Sequence, residues 1–108
     1  GIYAKDYLKN INIWKQIKNN IVESPNVRAA MQFVSRGDLD YGIIYFSDTI
    51  GNKKTNILYN LENNYHRKII YPITALNERK ETLDFYNFLM NNDNLLIMKK
   101  WGFKIKDD

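Results

Sequence analysis

Cysteine is absent from the 108 residues, histidine occurs once and proline twice. Without cysteine there is no disulfide scaffold, no thiol nucleophile and no thiolate metal site, and cysteine usage gives no redox compartment. The lone His66 sits in a polar loop with no second ligand at metal spacing, so no metal site is expected. No apolar run approaches the roughly 20 residues that span a bilayer, and no signal-peptide pattern is visible. A Gly-rich phosphate loop and a Ser-His-Asp order are missing too. Asp38 and Asp40 share a loop and lack a partner of contrasting environment, so paired-carboxylate catalysis is not indicated. These absences argue against an enzyme.

What is present suffices for a core. Hydrophobic residues make up 44% and aromatics 14%, enough for one small domain or a piece of a larger one. The chain begins at Gly1 rather than Met, so its natural start is expected upstream. Sixteen Lys and Arg against twelve Asp and Glu give a net charge of +4. The cations are scattered as Lys53-Lys54, Arg67-Lys68, Lys99-Lys100 and Lys104, with no long block and no helical stripe. That pattern fits a solvated surface. A small basic nucleic-acid-binding protein is the alternative, supported only by net charge and by tyrosines near lysines.

Apolar spacing organises the chain. Tyr3, Tyr7, Leu8, Ile11 and Trp14 predict one helical face over residues 2–14. Residues 15–22 are ambiguous. Ser24 or Asn26 can cap a helix entered through Pro25, with Val27, Ala30, Met31 and Val34 on its buried face and Gly37 as a left-handed stop. Residues 41–46 read as a strand buried on both faces, ended by Ser47-Asp48. Residues 55–61 alternate as a half-buried strand, and 69–76 form a third, with Pro72 marking an edge, bulge or crossing. Residues 78–90 predict a helix with Leu83, Tyr86, Leu89 and Met90 inward. A last helix is expected from a cap at Asp93 through Trp101, stopped by Gly102. Trp14 and Trp101 read as core anchors. The fold class expected is α/β.

Three stretches carry a family likeness: Gly1-Ile2-Tyr3-Ala4-Lys5, Asn26-Val27-Arg28-Ala29-Ala30, and the run from Arg36-Gly37-Asp38-Leu39-Asp40-Tyr41 through Phe46-Ser47-Asp48. With Ile70-Tyr71-Pro72-Ile73, residues 85–89 and Trp101-Gly102-Phe103, the sequence resembles the periplasmic molybdate-binding protein of ABC transporters, in its C-terminal half only. The resemblance implies part of a type II periplasmic-binding-protein fold. Residues 1–61 would belong to the second lobe and residues 62–108 to the segment returning to the first, with the N-terminal lobe preceding Gly1.

By the same resemblance, the oxyanion ligands in this chain are the backbone amide of Val27 and the phenolic hydroxyl of Tyr45. Another amide would precede Gly1. The cargo would be molybdate or tungstate, with no cofactor, and the partner a membrane permease in the cell envelope or periplasm; no nucleic acid is implied. Physical chemistry agrees, because a helix entrance offers unpaired N–H groups and a phenol is a neutral donor at pH 7. Arg28 is expected at the surface or between lobes, and Ser47-Asp48 at a turn. The effector-sensing domain of a transcription regulator is an alternative role for the same architecture.

Overall fold

The computed structural model describes residues 1–105. Among them are six α-helices: α1 (Ile2–Asn10), α2 (Trp14–Ile17), α3 (Val27–Ser35), α4 (Phe46–Thr49), α5 (Lys80–Leu89) and α6 (Asn92–Lys100). Two 3-10 turns, Lys18–Asn20 and Asn63–Tyr65, accompany them. None of these helices is long and apolar enough to cross a membrane. The chain forms two compact units, Gly1–Ile69 and a second beginning at Ile70.

The helix ends follow from the sequence. Asn26 caps α3 by accepting from the Ala29 amide at 2.9 Å. At the other end Gly37, at φ +78, donates to the Val34 carbonyl, and Asp38 donates to Phe33. This pair of bonds around a left-handed glycine satisfies carbonyls the helix would leave open. Gly102 does the same for α6, donating to Lys99 while Phe103 donates to Met98. The cap of α6 is Asn91, which accepts from the Asp93 amide at 2.9 Å, and not Asp93 itself. The predicted helix over 2–14 stops at Asn10, because Asn12 turns to φ +63 and Trp14 opens a separate short helix.

The expected strands do not form among the described residues, so the α/β class is not seen in this chain. Residues 41–46, 55–61 and 69–76 form no strand among the described residues. Tyr45 has extended backbone torsions, but a strand also needs a neighbour to complete its ladder. Nor is the run 41–46 buried, since Tyr41 is 76% exposed. In the second stretch Ile57, Leu58 and Tyr59 are all exposed, so neither face is covered. Ile70, Tyr71, Ile73 and Leu76 are likewise exposed. Trp101, Leu83 and Met90, expected inward, also lie open to solvent.

Surface area expresses the same fact. The accessible surface is 9374 Å² for 12.9 kDa. A compact monomer of that mass exposes about 6,300 Å², and two separate compact bodies of these sizes roughly 7,600 Å². Apolar burial is concentrated in the first unit, where Tyr7, 5% exposed, is the one apolar residue that counts as buried among the described residues. There, segment 42–52 lies along α3. A Cβ on Gly42 would come within 3.0 Å of the Val34 side chain, and Asn52 Nδ2 donates to Ser35 Oγ at 3.3 Å. Glycine at position 42 lets extended backbone approach the apolar face of the helix.

Candidate functional site

Val27 is the first residue of α3. In an α-helix the first amides have no carbonyl one turn earlier to accept them. Asn26 takes the third, from Ala29, and its own carbonyl accepts from Ala30 at 3.2 Å. Val27 and Arg28 therefore present amides without intrahelical partners, at the positive end of a nine-residue helix dipole. Val27 is half-buried and the Arg28 side chain exposed.

Tyr45 ends the extended stretch and is the N-cap residue of α4, so its position is a helix entrance rather than a strand tip. Its carbonyl accepts from Asp48 at 3.1 Å. Ser47 and Asp48 lie inside this one-turn helix instead of closing a turn, and Thr49 Oγ1 donates to the Phe46 carbonyl at 2.6 Å. The half-buried Tyr45 ring meets Tyr3 edge to face, with centroids 6.4 Å apart and planes at 61°.

Tyr3 belongs to the first turn of α1, whose N-cap Gly1 supplies no side-chain bond. Its other ring neighbour is His66, at 6.4 Å and 66°. His66 Nδ1 lies 2.8 Å from the Arg67 carbonyl oxygen, to which it donates. Arg67 in turn grips Asp6 with two bonds, of 2.5 and 3.1 Å. That guanidinium holds the Asp6 carboxyl below its ordinary 3.8, and the carboxylate raises Arg67 further. Next along, Asn10 Nδ2 donates to the Tyr65 carbonyl at 2.8 Å, and Tyr7 meets the Tyr65 ring at 5.8 Å.

Residues 65–67 thus form a strap laid along α1, engaging Tyr3, Asp6, Tyr7 and Asn10. These four stand at i, i+3, i+4 and i+7, a single helical face. Sequence reasoning put Leu8, Ile11 and Trp14 beside Tyr3 and Tyr7 and passed over Asp6 and Asn10. The same spacing would have admitted both polar residues had their distant partners been foreseen, Arg67 for Asp6 and the Tyr65 carbonyl for Asn10. His66, expected in an isolated polar loop, packs on an aromatic ring beside a candidate ligand.

Other charged residues have local partners. Arg36 pairs with Asp38 at 3.0 Å and Lys80 with Asp84 at 2.7 Å, while Lys5 lies 4.9 Å from the centre of the Trp14 ring. Tyr59 donates to the Glu62 carboxylate, which raises its pKa above the ordinary value. No group of three metal-ligating side chains occurs among the described residues.

The Val27 amide and the Tyr45 phenol thus both stand at helix entrances. The sequence matches the family of bacterial extracellular solute-binding proteins over residues 1–104, and the chain belongs to that family. It is 31% identical over 106 residues to the Bacillus subtilis protein named "Putative ABC transporter substrate-binding lipoprotein YvgL", covering 95% of this chain and 41% of that protein. It is 29% identical over 108 residues to the molybdate-binding protein ModA of Escherichia coli, with 98% and 42% covered. The Haemophilus influenzae ModA is 24% identical over the same length, with the same shares. The chain therefore spans about two fifths of the length of the curated relatives it matches.

Proposed function

We propose that the chain is part of the substrate-binding component of an ABC transporter whose cargo is a tetrahedral oxyanion, molybdate or tungstate. One observation carries the reading: α3 opens with the Val27 and Arg28 amides unpaired inside the helix, while its cap is satisfied by Asn26. A helix start of this kind suits a dianion, because its donors and its dipole favour negative charge without a formal cation. The Tyr45 hydroxyl adds a neutral donor, and both groups are aimed at one anion in this reading. The cargo is transported rather than transformed, so no cofactor and no catalytic residue is invoked.

The relatives named as molybdate-binding support this cargo over other solutes. The same reading makes a membrane permease the partner and the cell envelope or periplasm the location. It also places the early part of the chain in one lobe of a type II binding-protein fold and the later part in the return to the other. Its extended runs would gain ladder partners in that fold.

Calorimetry on the protein at its natural length tests the cargo. Molybdate and tungstate should each give saturable heat, with phosphate far weaker. Phosphate is partly protonated at neutral pH, and its hydroxyl finds no acceptor in a site built of donors. Equal binding of phosphate, or no heat with molybdate and tungstate, overturns the reading.

A further inference from the structure

We infer that Tyr3 is a positioning residue that sets the direction of the Tyr45 phenol, and that the strap at residues 65–67 holds Tyr3 in place. The inference rests on the reading of Tyr45 as an anion ligand, but its physical core is a row of three rings. His66, Tyr3 and Tyr45 follow one another with centroid spacings of 6.4 Å at each step, both in edge-to-face geometry. Such pairs have a preferred mutual angle, so fixing one ring restricts the next.

The first ring is fixed from outside the row. Tyr65 is tied to Tyr7 and Asn10, and Arg67 to Asp6. His66 stands between two anchored neighbours, with its Nδ1–H committed to the Arg67 carbonyl. Tyr3 is therefore walled on one side by a ring whose two chain neighbours are both tied to α1. Tyr45 sits at the junction of an extended run and a single helical turn. The Tyr3 ring gives its side chain a definite wall. A phenol confined to one direction loses less rotational freedom on binding, which raises affinity without any added contact.

The test uses Tyr3→Phe, Tyr3→Ala and Tyr45→Phe, and the double variant Tyr3→Ala with Tyr45→Phe, in the protein at its natural length. Tyr3→Leu serves if the alanine variant loses helix content by circular dichroism. Without any anion, the ring NMR signals of Tyr45 should be unchanged in Tyr3→Phe. In Tyr3→Ala they should shift, because the edge-to-face neighbour is gone. With molybdate, Tyr3→Phe should bind within about twofold of the parent, and Tyr3→Ala about 2- to 10-fold more weakly. In the Tyr45→Phe background, Tyr3→Ala should cost nothing further, because there is no hydroxyl left to aim. Unmoved Tyr45 signals in Tyr3→Ala, or fully additive losses in the double variant, overturn the inference. If the parent binds no oxyanion, the cargo reading fails while the ring signals still decide the positioning role.

Discussion

The two compact units solve the burial problem differently. The first, Gly1–Ile69, is closed by contacts between distant residues: Arg67 with Asp6, Asn10 with the Tyr65 carbonyl, Asn52 with Ser35, and the Tyr7–Tyr65 ring pair. The second relies on neighbours in sequence, with Asn94 donating to the Phe88 carbonyl and Lys80 paired to Asp84 one turn away. Tyr71 and Phe103 also meet edge to face there, with ring centroids 5.6 Å apart. Phe85 and Phe88 stack on each other on α5 yet stay 61% and 59% exposed. Distant contacts create enclosed positions where donors can be aimed. Local contacts create helices without an interior.

Truncating the centre of the first unit should break this contrast most severely. Tyr7→Ala removes its buried ring and should cost about 3–5 kcal/mol, as other large aromatic truncations do. Hydrogen exchange should quicken along α1 and residues 63–67 while α5 and α6 keep their rates; equal acceleration of both would erase the distinction between the units. Tyr45→Phe comes next. It should weaken oxyanion binding by about 1–3 kcal/mol through loss of a hydrogen bond to a charged group. Asn26→Ala should destabilise α3 by about 1 kcal/mol, measurable by urea unfolding, because the Ala29 amide loses its acceptor.

Acid should loosen the strap without a comparable change in the second unit. The Asp6 carboxyl is depressed by its bond to Arg67, so the ion pair contributes above pH 3.8 and is lost as pH falls through the lowered value. Exchange at residues 63–67 should rise in that range, and Asp6→Asn should remove the pH step. Smallest of all is Phe88→Ser, where a ring 59% exposed gives up its stacking on the similarly exposed Phe85. Its effect on stability should fall within about 0.5 kcal/mol.

How much of this was legible in the sequence depends on the range of the interaction. Local signals transferred well. Asn26 and Pro25 marked the start of α3, Gly37 and Gly102 marked helix ends, and residue 27 was correctly put at a helix entrance. The expected strands did not appear, because apolar spacing records a tendency toward burial, whereas a strand exists only beside another strand. The residues at 41–46 have the composition of a central strand and an open surface all the same. Tyr3 was seen as one apolar residue in a face and not as a neighbour of Tyr45, since no local pattern reports a contact 42 positions apart. Asp6 and Arg67 were both visible as charges, and nothing short of folding could pair them.

The fastening of residues 65–67 to α1 also bears on how freely the intervening chain can change. Once both ends of an excursion are pinned, doubling its length costs only about 0.6 kcal/mol in closure entropy. Insertions at the exposed Lys53-Lys54 corner should then be cheap, leaving the ring row undisturbed. A lineage could enlarge or trim that corner to suit a different guest while the clasp beside α1 stayed shut.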